Sequence, residues 1–288
     1  AFAVMMADAE AVRRVCSMDE VERSVLEATQ RPIVLLRKLP GAAFAPGLAD
    51  RLPELGVMLP YTPVQHLLLH DFVEAGGGGM LVMTSGNIHD EPIVIDDEDA
   101  YEKLFSVADA FLGHDRAICA RYDDSVVRVI NAGSAGEALQ FLRRARGFAP
   151  LPVPLSLPAP AAEEVSRETL VRPRAILAVG PEQKNTFTLT RDAEAFVSQH
   201  IGDMENAETY DAWLQAKDRY EALFEIEPGR LACDLHPEYL TSKWAHDESR
   251  VHGLPLTEVQ HHHAHIVSVM GEHGLTGPVC GIAFDGTG

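Results

Sequence analysis

The most constraining feature of this sequence is an apolar, strand-like segment that runs directly into a group of histidines. Leu254–Val259 reads as a strand, and His261, His262, His263 and His265 follow Gln260. If these histidines open a helix, His261 and His265 stand four positions apart on one face, close enough for both imidazoles to reach one metal ion. A two-histidine metal site on a helix requires this spacing. We interpret His262 and His263, which point elsewhere, as structural residues or as outer-shell partners of the metal ligands.

A second apolar segment comes soon afterwards and ends in a carboxylate and two glycines. Gly281–Phe284 predicts a strand, and Asp285, Gly286, Thr287 and Gly288 follow it. Glycines at a strand end let backbone N–H groups approach a phosphate. The two features together predict a metal-assisted nucleotide site, with His261, His265 and Asp285 as metal ligands. A solvated patch of surface histidines is the alternative.

Charge and composition narrow the functional class. A hydrophobic share of 46% and a charged share of 23% are typical of a globular protein, and 288 residues suffice for two domains. The chain has neither a run of ~20 apolar residues nor a signal-peptide pattern, so we expect no membrane span and a cytoplasmic location. The four cysteines form no Cys-x-x-Cys pair, and the net charge of -19 disfavours extended nucleic-acid binding.

The order of apolar segments and breakers predicts an α/β protein with two domains. The predicted boundaries are residues 1–150 for the first domain, 151–173 for a Pro- and Ala-rich linker, and 174–288 for the second domain. Both ends read as cut from a longer protein. In the first domain the periodicity predicts a helix from Asp97 to Phe111, and in the second a long helix from Glu205 to Phe224.

Small polar residues and arginines mark a candidate anion site in the first domain. Thr84, Ser85 and Asn87 follow the apolar segment 80–83, where hydroxyls and an amide offer donors without bulk. Such a sequence is also common in ordinary turns. Arginines cluster at 121–128 and 143–146, and a guanidinium matches the oxygens of a phosphate. Surface solvation is the alternative for these arginines.

In the second domain, polar residues follow several predicted strands. The segment 175–180 breaks at Gly180 and leads to Lys184, while the segment 231–235 contains Asp234. Ligands of such sheets collect at the carboxyl ends of the strands. We therefore expect Lys184, Asp234, His261 and Asp285 to gather at one edge.

The order of these motifs resembles the HypF family, the carbamoyltransferases of NiFe-hydrogenase maturation. In the first domain the matching segments are Leu59–Pro63, Met83–Asn87 with Glu91–Ile93, Arg121–Arg128 and Arg143–Pro150. In the second domain they are Gly180–Phe187, Ser198–Asp203 with Glu205–Thr209, Cys233–Pro237, Val259–Ile266 and Phe284–Gly288. The resemblance implies a YrdC-like twisted-sheet α/β domain followed by part of an actin/hexokinase-like ATPase-fold domain.

The resemblance also implies a two-step reaction. The first domain would join carbamate, derived from carbamoyl phosphate, to ATP and form carbamoyl-adenylate and pyrophosphate. The second would transfer the carbamoyl group to the C-terminal cysteine of the partner protein HypE, on the route to the cyanide ligands of the hydrogenase iron. The implied cofactors are Mg with ATP and a divalent metal, zinc or iron, in the transfer domain.

Individual roles follow from the same resemblance. Arg121 and Asp285 would be catalytic, and His261, His265 and Asp285 would bind the metal. The residues implied in binding nucleotide, carbamate or phosphate are Thr84, Ser85, Asn87, Ser125, Arg143, Lys184, Asn185, Gly286, Thr287 and Gly288.

The sequence departs from the family pattern in two ways. Pro181 stands where the family usually has a second glycine, which removes one backbone donor from the phosphate turn. The family's acylphosphatase-like domain, its zinc fingers and a further aspartate ligand are not in this sequence. Two alternatives remain: a tRNA threonylcarbamoyladenosine-modification protein, which the net charge of -19 disfavours, and a non-enzymatic metal-binding module.

Overall fold

Short apolar runs in the first half of the chain pair into a six-stranded mixed sheet. The computed structural model describes residues 3–89, 91–131, 136–156 and 175–286. The strands of this sheet are β1 (Ala3–Met6), β2 (Ile33–Arg37), β3 (Glu54–Met58), β4 (Met80–Met83), β5 (Val126–Asn131) and β6 (Glu137–Arg143). Their order is β4-β1-β3-β2-β5-β6. The β1–β3 and β2–β5 pairs are parallel and the others are antiparallel.

Helices lie between the first four of these strands along the chain, and each begins after a capping residue. The helices are α1 (Ala9–Arg13), α2 (Glu20–Glu27) and α3 (Pro63–Glu74). Thr62 caps α3 because its hydroxyl accepts a hydrogen bond from Gln65 N, and Pro63 occupies the first helical position. Leu36 and Val57 are fully buried, so the apolar face of the central strands forms the core.

The second half of the chain forms another mixed sheet. Its strands are β7 (Val153–Pro154), β8 (Ile176–Ala178), β9 (Thr188–Arg191), β10 (Glu194–Val197), β11 (Arg230–Asp234) and β12 (Leu256–Val259), in the order β12-β11-β8-β9-β10-β7. The helices of this half are α5 (Ala207–Phe224), α6 (Leu240–His252) and α7 (His261–His273), and α4 (Asp97–Leu104) precedes them in the chain. β8, β11 and β12 are parallel, so their carboxyl ends share one edge.

Aromatic packing stabilises the second sheet. Trp213 on α5 is fully buried, and its ring centroid lies 6.2 Å from that of Phe187 and 5.0 Å from that of Trp244. Burial of one such side chain contributes about 1.5–3 kcal/mol. The predicted long helix 205–224 is thereby confirmed, with a start two residues later than expected.

The chain divides into two compact units. The first unit comprises Ala1–Gly86 and Tyr122–Phe148, and the second comprises Asn87–Arg121 and Ala149–Gly288. The predicted first domain, 1–150, differs from the first unit in the segments 87–121 and 149–150. Most of the predicted linker, from residue 157 onwards, lies outside the described residues, whereas Val153–Pro154 pairs with β10. No helix among the described residues is long and apolar enough to cross a bilayer.

Two predictions of secondary structure are wrong. The helix that begins at Asp97 ends at Leu104 instead of Phe111, because Val107 on the expected apolar stripe is 75% exposed and has no core to pack on. The segment 281–284 is not a strand, since it forms no ladder with any described strand. Its large apolar side chains, Ile282 and Phe284, are exposed, and Phe284 is 98% accessible.

Candidate metal centre and nucleotide site

The register of two parallel strands brings the histidine helix beside an aspartate. Asp234 ends β11 and pairs with Val259, which ends β12. Gln260 then caps α7, because its side chain accepts a hydrogen bond from His263 N at 2.8 Å. The helix consequently begins at His261, within contact distance of Asp234. The predicted strand–helix arrangement is confirmed.

Three side chains converge beyond the start of α7. Oδ2 of Asp285 lies 2.8 Å from Nε2 of His261 and 2.9 Å from Nε2 of His265. The possible ligand atoms of these residues all lie within 4.8 Å of one another. The structure therefore brings together the predicted metal ligands, although Asp285 arrives on an irregular segment.

A fourth residue, Asp234, contacts the other side of His261. Nδ1 of His261 donates a hydrogen bond of 2.6 Å to Oδ2 of Asp234. The side chains of His261 and Asp234 are only 15% and 10% exposed, whereas that of His265 is 54% exposed. The sequence predicts Asp234 at this edge but indicates no role for it. The signal was present, because a polar residue ends a strand parallel to the one that precedes the histidines.

The charges of this cluster shift its protonation equilibria. The hydrogen bond to Asp234 raises the pKa of His261, and Asp285 adds to the effect. The hydrogen bond from His265 and that from Gly286 N lower the pKa of Asp285 to about 2. Asp285 is therefore ionised at neutral pH, and His261 holds a proton more firmly than an ordinary histidine does.

The donor set fits a divalent metal ion. Two imidazole nitrogens and one carboxylate are the protein ligands of many catalytic zinc sites and of non-haem iron(II) sites. A carboxylate behind a ligating histidine, here Asp234, is the usual outer-shell partner in such sites. Zinc and iron are both compatible with these ligands.

A cavity of about 430 Å³ adjoins the histidines. Its size suits a small-molecule site. Its lining is mostly apolar or small and consists of Ala178, Gly180, Pro181, Thr186, Thr188, Ala232, Cys233, Asp234, Val259, His261, Ala264, His265 and Ser268. Gly180 has a φ of +78°, and a Cβ there would lie 2.1 Å from Thr186 O, so only glycine fits this turn.

The predicted phosphate residues of the second unit lie on and near this turn. Lys184 is exposed with a left-handed φ of 50°, and its backbone N–H donates to Oδ1 of Asp203 at 2.6 Å. Asn185 is fully buried, and its amide donates to the carbonyls of Val179 and Pro181. In this conformation Asn185 shapes the turn. Gly286 N donates to Oδ1 of Asp285 at 2.9 Å, while Thr287 and Gly288 lie outside the described residues.

The predicted residues after β4 sit on an exposed turn. Thr84 and Ser85 are exposed in the first unit. Asn87 is half-buried in the second unit, and its amide donates to the carbonyls of Ile88 and Glu91. Asn87 therefore stabilises the turn that follows it.

Ser125 and Arg143, two further predicted residues of the first unit, contact other residues of the chain. Ser125 is fully buried, and its hydroxyl donates to Arg146 O at 2.9 Å and accepts from Ala145 N at 2.8 Å. A guanidinium nitrogen of Arg143 lies 3.4 Å from Oδ1 of Asp123. The hydroxyl of Ser125 is thus hydrogen-bonded within the fold, and the ligand contact that the resemblance implies stays a prediction.

Arg121 belongs to the second unit and lines a different, polar cavity of about 190 Å³. Its Nε donates to Ile93 O at 2.9 Å, and its terminal nitrogen donates to Oε1 of Gln215 at 3.3 Å. Lys103 and Glu208 line the same cavity. Ser85, Ser125 and Arg143 fall in the first unit, so the predicted anion residues are distributed over both units.

Two family models match successive parts of the chain. Residues 1–145 match the model described as "Telomere recombination", of the Sua5, YciO and YrdC proteins, and residues 172–272 match the model described as "HypF Kae1-like domain".

Curated relatives match over the whole chain. "Carbamoyltransferase HypF2" of Cupriavidus necator is 42% identical, with 100% of this chain and 35% of the relative covered. "Carbamoyltransferase HypF" of Synechocystis is 41% identical, with 94% and 32% covered. The chain spans about a third of the length of these relatives.

Solved structures agree with the sequence matches. The crystal structure of a full-length HypF in a phosphate- and nucleotide-bound form superposes with a TM-score of 0.85 and 44% identity, and covers 99% of this chain and 34% of that one. The crystal structure of HypF from T. kodakarensis gives a TM-score of 0.82 and 34% identity, with 95% and 33% covered. The predicted fold, a YrdC-like α/β domain followed by part of an actin/hexokinase-like domain, is confirmed, and the chain belongs to the HypF family of carbamoyltransferases.

Proposed function

We propose that this chain is the part of a hydrogenase-maturation carbamoyltransferase that activates a carbamoyl group with ATP and passes it to a partner protein. The first half of the chain, including the segment up to Arg121, takes part in the activation step. In this step carbamate, which is derived from carbamoyl phosphate, reacts with ATP. The products are carbamoyl-adenylate and pyrophosphate. The second half transfers the carbamoyl group to the C-terminal cysteine of HypE and releases AMP. Membership of the HypF family supports both steps.

The observation that carries the transfer step is the convergence of His261, His265 and Asp285 beside a cavity. Their ligand atoms lie within 4.8 Å of one another, and both histidines line a cavity of about 430 Å³. A bound divalent ion would supply Lewis-acid polarisation of the carbamoyl carbonyl at this place.

The chain's own residues contribute a negative charge and apolar walls. Asp285 carries a full negative charge at neutral pH because hydrogen bonds lower its pKa to about 2. Ala178, Ala232 and Val259 give the cavity apolar walls. Exclusion of water protects an activated carbamoyl group from hydrolysis before the thiolate of the partner arrives.

The activation step rests on the residues that follow β4 and on the arginines. Thr84 and Ser85 present hydroxyls on an exposed turn, and Arg121 lines a polar cavity. A guanidinium contributes charge-assisted hydrogen bonds to phosphate or carbamate. The hydroxyl of the buried Ser125 is hydrogen-bonded to the backbone of residues 145 and 146, close in sequence to Arg143. This structural role is compatible with the proposed activation step.

The proposal is tested with the full-length protein, labelled carbamoyl phosphate, ATP and HypE. We expect one label on the C-terminal cysteine of HypE and none on a HypE variant that lacks this cysteine. Absence of ATP-dependent labelling would contradict the proposal. Transfer of label to tRNA would favour the threonylcarbamoyladenosine alternative, and several loosely held ions without any transfer would favour the metal-binding module.

A further inference from the structure

We infer that Asp234 is a positioning residue that keeps the Nδ1 proton on His261 and so leaves Nε2 free to ligate a metal ion. The inference rests on the metal role proposed above and extends it to a residue behind the ligands. Its basis is the 2.6 Å hydrogen bond between Nδ1 of His261 and Oδ2 of Asp234. The carboxylate can only accept, so the proton of this bond belongs to the imidazole.

Asp234 is itself held in place by three constraints. Its Oδ1 accepts a hydrogen bond of 2.9 Å from His236 N, and its carbonyl accepts one of 3.0 Å from Ser242 Oγ on α6. Its backbone ends β11 in register with Val259. With both carboxylate oxygens occupied and the side chain 10% exposed, Asp234 has little freedom to turn away from His261.

The need for such a residue arises from Asp285. Oδ2 of Asp285 lies 2.8 Å from Nε2 of His261 and competes for the single proton of the neutral ring. A proton on Nε2 would occupy the lone pair that a metal requires. Asp234 is more buried than Asp285, and its hydrogen bond to the ring is shorter, so the neutral ring keeps its proton on Nδ1.

Two measurements on the 288-residue chain test this inference. In the metal-free chain with a neutral His261 ring, the ¹⁵N chemical shifts of the imidazole report the tautomer. We expect protonated Nδ1 in the natural chain and protonated Nε2 in Asp234→Asn. Calorimetric titration with Zn²⁺ should then show affinity reduced about 10- to 100-fold in Asp234→Asn, the range typical of outer-shell changes.

Glu258→Gln is the matched control. Glu258 on the adjacent strand β12 lies 3.2 Å from Nε2 of His246, so this variant also replaces a carboxylate beside a histidine by an amide. It should leave both the tautomer of His261 and the zinc affinity unchanged. Thermal unfolding of each variant separates a loss of fold from a loss of positioning.

Three outcomes are decisive. Protonated Nε2 in the natural chain would overturn the inference, and this result needs no variant. Unchanged zinc affinity in a folded Asp234→Asn chain would also overturn it. A natural chain that binds no Zn²⁺ would contradict the proposed metal role instead, while the tautomer would still confirm or overturn the positioning by Asp234.

Discussion

Nε2 of His265 lies 2.9 Å from Oδ2 of Asp285, although twenty positions separate the two residues. The same oxygen lies 2.8 Å from Nε2 of His261, so one carboxylate faces both imidazoles of the helix face. Three possible ligands thus point at one small region of space, the arrangement that a catalytic metal site with an open position requires.

Removal of one of these ligands should weaken metal binding strongly. A change of an outer-shell residue typically reduces metal affinity about 10- to 100-fold. We expect His265→Ala and Asp285→Asn each to reduce the Zn²⁺ affinity by more than this. His263→Ala is the control, because His263 is exposed on another face of α7. Calorimetric titration of the three variants measures the effect. Equal losses in all of them would indicate non-specific binding by the histidine run.

The affinity for zinc should fall as the pH is lowered. This fall should begin at a pH above the range in which an ordinary histidine titrates. The hydrogen bond to Asp234 raises the pKa of His261, and a proton competes with the metal for Nε2. In the metal-free chain the same contact stabilises the fold below the unfolded pKa of about 6.5, and this contribution is lost as the pH rises through the raised folded pKa. Titrations in buffers of different ionisation enthalpy should detect proton release on zinc binding. An affinity that stays constant between pH ~6 and ~8 would contradict competition by imidazole.

Ser125→Ala should destabilise the first unit. The buried hydroxyl accepts from Ala145 N at 2.8 Å, and an unsatisfied buried N–H costs about 1–3 kcal/mol. Thr84→Ala, at an exposed position, should change the free energy of unfolding by less than about 0.5 kcal/mol. Urea unfolding measures both values. Equal stability would mean that the Ser125 hydroxyl is dispensable for the fold and available for a ligand.

The approach of His261 and His265 to Asp234 was predictable because it depends on local periodicities. The helix period places His261 and His265 on one face, and parallel strands place Asp234 at the same edge as the start of α7. The sequence pattern failed at 281–284, where an apolar run exposes Ile282 and Phe284 instead of pairing. A strand depends on partners distant in sequence, and no periodicity reveals whether these are present.

The hydrogen bonds that Ser125 and Asn185 make within the fold were not predictable, for a related reason. Both are polar residues of the family motifs, but both are fully buried with their donors bound to backbone carbonyls. Whether a polar side chain faces a ligand or the backbone of a neighbouring turn depends on tertiary packing. Sequence spacing does not contain this information.

Arg121→Ala in the full-length protein should slow the formation of carbamoyl-adenylate. A charge-assisted contact contributes about 1.5–3 kcal/mol, which corresponds to a loss of about 10- to 100-fold. Arg116→Ala, a change at an exposed arginine of the same segment, should have no comparable effect. Pyrophosphate–ATP exchange that depends on carbamoyl phosphate measures the step. Unchanged exchange in Arg121→Ala would remove this residue from the activation site.

Activation and transfer are proposed to use different sites, and a comparison of two variants separates the two steps. Exchange of pyrophosphate into ATP and labelling of HypE are measured side by side in full-length Asn87→Ala and His265→Ala proteins. We expect Asn87→Ala to lose both activities, whereas His265→Ala should retain exchange and lose the labelling of HypE. If His265→Ala stops the exchange as completely as Asn87→Ala does, the assignment of the two steps to two sites is wrong.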